Sequence, residues 1–96
     1  MKIGNINEYS KFERIQKSTL FKEHRFQVIV INLPQNESLK THHSPTDAFL
    51  FVQKGCVNFV LESETFLLEE GALFTFKAFQ KHSVTALKDS SLLIVK

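Results

Sequence analysis

From Arg25 onward the chain breaks into short β-branched and aromatic runs, separated at regular intervals by turn residues, and that rhythm admits few folds. Strands are expected near residues 19–23, 25–33, 38–43, 47–53, 56–61, 64–68, 72–76, 82–87 and 91–95. The punctuation between them is Pro34-Gln35-Asn36, Ser44-Pro45, Lys54-Gly55, Glu62-Ser63, Glu70-Gly71, Phe79-Gln80-Lys81 and Lys88-Asp89-Ser90. Helical periodicity is confined to residues 7–17, where Tyr9, Phe12 and Ile15 fall about a turn apart after Asn7 and suggest a short helix. The pattern is that of an all-β sandwich or barrel.

Ninety-six residues support one hydrophobic core, so the chain reads as a single domain, with N-terminal strands over 1–33 and a barrel over 33–96. Any site must lie within that core or at a subunit interface. A hydrophobic fraction of 43% and a charged fraction of 23% are ordinary for a globular protein, and no apolar run is long enough to span a bilayer as a helix. The opening "MKIGNINEYSKFERIQ" has no apolar segment of the kind a secretory signal needs, which points to the cytoplasm. Cys56 is the only cysteine, so no intrachain disulfide can form, and a small buried thiol is the expectation.

A formal net charge of +2, with lysines and arginines scattered along the chain, argues against a nucleic-acid partner. The ten phenylalanines concentrate in the strand-rich half and lack interleaved arginines, so they read as core and interface and not as base-stacking platforms. Glu62, Glu64, Glu69 and Glu70 read as solvated turn residues.

Two segments carry a more specific signal. "LPQNESLKTHHSPTDAFLFVQKG" and "EEGALFTFKAFQKHSVTALKDSSLLIVK" resemble the two motifs of the cupins, a family of double-stranded β-helix, or jelly-roll, barrels. Against the first motif, Asn36 takes the place of the opening glycine, which a positive φ tolerates, and Gly55 matches the closing one. His42 falls on the first histidine, Ser44 on the second and Ala48 on the glutamate. Against the second, Gly71 and His82 match, while Lys77 replaces the proline, Phe79 the glycine and Ala86 the asparagine.

The resemblance implies a barrel whose inward histidines and glutamate hold a divalent metal; of that set this chain keeps His42 and His82. On a strand, residues two apart share a face, so Ser44 follows His42 inward, whereas His43 and Asp47 fall out of phase unless a bulge intervenes. A ligand pocket is expected from His42, Ser44, Ala48, Leu50, His82 and Val84, with Phe74 or Phe76 nearby. His42 and His82 are the candidate ligands for a divalent transition metal, and otherwise polar pocket groups bonded to each other, to water or to a ligand. With no carboxylate, the pocket suits a small uncharged or weakly anionic molecule.

If Ala48, Leu50 and Val52 face inward, Phe49 and Phe51 face out and form an apolar patch. A symmetric homodimer is one account, and cover by the chain's own N-terminal strands is the other. Three functions remain open: a small-molecule binder, a metal-dependent oxygenase or isomerase using His42 and His82, and an interaction module whose barrel is filled. No catalytic residue is assigned, because the spacing shows neither a nucleophile elbow nor a phosphate-cradling glycine loop.

Overall fold

Alternation along each strand decides the architecture. The computed structural model describes residues 1–96. Its strands are β1 (Gln16–Lys22), β2 (Gln27–Leu33), β3 (Ser38–His42), β4 (Ala48–Lys54), β5 (Cys56–Leu61), β6 (Glu64–Glu69), β7 (Leu73–Phe76), β8 (His82–Ala86) and β9 (Ser90–Val95). They pair antiparallel into a five-stranded sheet, β1-β2-β9-β4-β7, and a four-stranded sheet, β3-β8-β5-β6. In β4, Ala48, Leu50 and Val52 are buried between the sheets while Phe49 and Phe51 turn outward. The two faces then bury their inner rows against each other as a jelly roll.

The core is aromatic at its centre. Phe59 on β5 meets Phe74 and Phe76 on β7 with ring centroids 5.0 and 5.3 Å apart, and Phe74 meets Phe66 on β6 at 5.1 Å. Tilted contacts of this kind add about 0.5–1.5 kcal/mol each beyond the burial of their apolar area. Leu50, Val52, Leu92, Val57 and Ala86 close the space around them. The barrel body is therefore filled.

Backbone turns sit where small or flexible residues allow them. Asn36 takes φ 71°, as the replacement of a glycine there requires. Gly55 has φ 89°, and a Cβ on it would collide with the Ser90 hydroxyl and the Asp89 carbonyl, so no side chain fits between β4 and β5.

The N-terminal helix expected over 7–17 is reduced to one 3-10 turn, Ile6–Tyr9, capped reciprocally by Asn5 and Glu8. Gln16 and Lys17 instead begin β1, opposite Asn32 and Ile31. A short isolated helix gains little by itself, whereas strand pairing satisfies the backbone groups of Gln16 and Lys17 and extends the sheet. The segment before β1 lies on the outer side of the five-stranded sheet. Val30 and Asn32 point to that side and are nevertheless buried, which explains why β2 reads as the unbroken apolar run Val28–Ile31. The Asn32 amide donates to the Tyr9 and Lys11 carbonyls and clasps the segment in place.

Cover of the outer face is partial. Beyond the segment's reach, Phe49 stands opposite Val95 and Thr75, and Phe51 opposite Leu93 and Leu73. Phe49 remains 40% exposed and Leu73 68%.

Replacing Asn32 with Ala strands two carbonyls that the amide now satisfies. A loss of about 1–3 kcal/mol in denaturant unfolding is expected, together with faster amide exchange over residues 5–12 than over β4 and β9.

Candidate ligand pocket at the barrel mouth

The histidines meet because of an irregularity in β3. Leu39 faces inward opposite Val84, so simple alternation would turn Thr41 and His43 inward as well. A register shift between Leu39 and His42 changes the phase, and His42 is paired with His82 on β8. Ser44 follows His42 into the same cavity, while His43 is turned to the surface against Phe79, with ring centroids 6.1 Å apart.

Two loops form one side of the rim. The Phe79 N–H donates to the Ser44 carbonyl at 2.8 Å, and the Ala78 N–H donates to the Asp47 carboxylate at 2.9 Å. Asp47 is thereby spent on the loop, out of phase with Ala48 as its position in the strand implies. Phe79 itself holds φ 67° and is 65% exposed, where the resembling motif has glycine. An aromatic residue in that region costs on the order of 1–3 kcal/mol, and the two loop bonds, at about 0.5–1.5 kcal/mol each, are of the same size.

The two imidazoles touch edge to face, with centroids 4.1 Å apart and planes at 65°. They are not hydrogen-bonded to each other. His42 Nδ1 lies 2.8 Å from the Lys40 carbonyl and His82 Nδ1 lies 2.9 Å from the Gln80 carbonyl. A carbonyl only accepts, so Nδ1 of each ring carries the proton and Nε2 is left as the lone-pair nitrogen of the neutral imidazole. His82 is only 7% exposed and lies parallel to the Phe59 ring, at 8° and 5.8 Å, with Phe76 on another side at 4.4 Å.

Burial holds the His82 pKa below its ordinary 6.5, and the cationic Lys96 together with the neighbouring His42 and His43 rings acts in the same direction by disfavouring a second positive charge nearby. The bond to the Gln80 carbonyl opposes them without winning.

The cavity beside these rings measures about 50 Å³ and is lined by Lys17, Ile29, Ile31, His42, Ser44, Ala48, Phe76, His82, Ile94 and Lys96. Four of the six residues expected from sequence are there: His42, Ser44, Ala48 and His82. Leu50 and Val84 are not, because the phenylalanines fill the barrel at their depth and leave both packed in the core. Of Phe74 and Phe76, register places Phe76 opposite Ala48 at the cavity.

Lys17 and Lys96 are the lining residues that sequence reasoning missed. Lys17 falls within the expected helix, and Lys96 follows the last expected strand. The available signal was parity: Leu92, Ile94 and Lys96 share the inner side of one strand, and Lys17 pairs with inward Ile31. Burial and the neighbouring Lys17 charge hold the Lys96 pKa below its usual value.

A metal would find two imidazole nitrogens and one hydroxyl, Ser44, in this lining, with alanine at position 48 and two ammonium groups in the same cavity. Divalent cations in catalytic sites take three or more strong donors, and neighbouring positive charge raises the cost of binding. This set does not fit a resident divalent metal.

Two antiparallel sheets wound as a jelly roll, with paired inward histidines at one mouth, define the class. A family model for the cupin domain matches residues 29–95, and the chain belongs to the cupin family. Among solved structures it is similar to SPY1581, a conserved protein of unknown function from Streptococcus pyogenes, at 22% identity and TM-score 0.86, covering 98% of this chain and 84% of that one. TT1209 from Thermus thermophilus is similar at 23% identity and TM-score 0.86, with 99% and 95% covered. KdgF from a Halomonas species is similar at 20% identity and TM-score 0.81, with 94% and 87% covered. Identities this low establish the fold alone. No curated protein matches the sequence.

The His82 shift fixes a pH dependence. Above about pH 6.5 the ring is neutral in both the folded and unfolded chain and favours neither. As pH falls below 6.5, the unfolded chain takes the proton first, so stability drops towards the lower folded pKa with a slope of at most about 1.4 kcal/mol per pH unit. Urea unfolding of wild type and His82→Gln between about pH 7.5 and 5 tests this: the wild type should lose more stability on acidification than the variant.

Proposed function

We propose that this cupin is a small-molecule binder, with no catalytic step assigned. The observation that carries the reading is the cavity between the His42–His82 pair and the Ala48–Phe76 wall, in a barrel that is otherwise filled. A nearly buried histidine with a depressed pKa at the edge of that cavity supports the same reading. At about 50 Å³ the cavity holds a few waters or one head group. Drug-sized ligands occupy pockets of about 300–1,000 Å³, so a larger ligand would leave its body in the open mouth.

Elemental analysis of the purified, tag-free protein separates this reading from a metal-dependent oxygenase or isomerase. The expectation is metal well below one equivalent, on the order of a tenth or less, with no difference in His42→Ala or His82→Ala. Near-stoichiometric metal that disappears in both variants would replace the binder with the enzyme.

The same reading includes a homodimer formed through the outer side of the five-stranded sheet. Phe49, Phe51, Leu73, Leu93 and Val95 are cross-strand neighbours there, and the N-terminal segment leaves Phe49 and Leu73 bare. A two-fold contact buries the patch against its own copy. Sedimentation at micromolar concentration should give twice the chain mass for wild type and the single-chain mass for Phe49→Glu/Leu73→Glu; a wild-type monomer would remove this part of the reading. No helix is long and apolar enough to cross a membrane. The free thiol of Cys56, half-buried at the start of β5, suits a reducing compartment, and we place the protein in the cytoplasm.

A further inference from the structure

Strand parity brings two lysines to the cavity from the wall opposite the histidines. Lys17 enters from β1 and Lys96 from the end of β9, both on the five-stranded sheet, whereas His42 and His82 belong to β3 and β8 of the four-stranded one. The backbone of Lys96 is tied on both sides to Gln27, its N–H donating to the Gln27 carbonyl at 3.0 Å and its carbonyl accepting from the Gln27 N–H at 2.6 Å. That pair of hydrogen bonds to β2 fixes the base from which the side chain reaches the cavity.

No acidic side chain answers these charges: none lines the cavity. The ion pairs of the molecule are Arg25–Glu23 and Lys77–Asp47, so neither Lys17 nor Lys96 has a carboxylate within pairing distance. Two ammonium groups beside one partly enclosed cavity repel each other; Lys96 is half-buried, and Lys17 reaches the cavity from an exposed position on β1. An anion entering the cavity would be attracted by both charges and would relieve their mutual repulsion.

Size narrows the class further. About 50 Å³ accommodates a single carboxylate-sized group, and the apolar side chains of Ile29, Ile31, Ile94 and Phe76 leave little else for it to bond. We propose that the pocket binds a small carboxylate, its oxygens taken by the Lys17 and Lys96 ammonium groups. The opposite wall offers lone-pair nitrogens, Nε2 of His42 and His82, which accept from a hydroxyl beside the carboxylate. This inference rests on the binder reading above and adds the charge of the ligand.

The test uses the full chain with glycolate, a carboxylate bearing a neighbouring hydroxyl, and glycolamide, its uncharged counterpart of nearly the same shape. Binding is read from amide chemical shifts of residues on β1, β3, β8 and β9. Glycolate should perturb them saturably, glycolamide at least about tenfold more weakly, and Lys17→Met and Lys96→Met should each weaken glycolate about tenfold, as loss of a charge-assisted bond implies. Thermal unfolding of both variants verifies that they fold, and raising the salt concentration should weaken glycolate and leave glycolamide unchanged. Equal binding of glycolate and glycolamide, or lysine variants that bind glycolate like wild type, would overturn the anion assignment and leave a neutral-ligand pocket. Failure of both compounds to perturb the cavity residues would overturn the anion assignment together with the binder reading.

Discussion

The contact on which the rest depends is the packing of Phe59 against Phe74 and Phe76 between the two sheets. These rings join β5 of one sheet to β7 of the other and fill the barrel to within one layer of its mouth. A sandwich of this size has no second core to lean on. The same rings decide the depth of the pocket, because Leu50 and Val84 are covered by them. What survives as open space is only the last layer, where His82 lies parallel to Phe59 and beside Phe76.

That last layer is where the fold departs from regular pairing. The shift in β3 lets Leu39 and His42, three residues apart, both face inward, and it leaves His43 outside. Both retained imidazoles bond their Nδ1 protons to carbonyls two residues back on the chain, so the two rings are oriented by backbone and not by each other. In the resembling motif the remaining positions would supply further donors. Here they supply a methyl group and a hydroxyl, and the neighbouring sheet supplies two ammonium groups, a lining with the opposite electrostatic preference from a metal site.

The two faces of the five-stranded sheet show how one strand can serve two purposes. Inward, β2 and β9 give Ile29, Ile31, Leu92 and Ile94 to the barrel. Outward, Val30 and Asn32 hold the N-terminal segment, and the strands beyond it keep their apolar residues bare. The cover and the patch are adjacent: the segment is held at Asn32 and reaches Lys54 through Phe12, while Phe49 and Leu73 stay exposed.

How much of this was legible in the residues follows from the range over which each signal acts. The all-β pattern, the turns, the inward row Ala48-Leu50-Val52 and the positive φ at Asn36 are local, set by side-chain shape and a two-residue period, and the sequence alone determined them. It also placed His42, Ser44, Ala48 and His82 together, because the motif spacing carries the register of strands far apart in the chain. The short helix over 7–17 was reduced to the Ile6–Tyr9 turn, and its last two residues, Gln16 and Lys17, went to strand pairing with β2, a partner that local periodicity cannot weigh. Pocket depth, the exclusion of Leu50 and Val84, and the arrival of Lys17 and Lys96 from the first and last strands were decided only by tertiary structure. Each depends on which strands become neighbours and how large side chains share one interior, and neither is encoded within reach of a single strand.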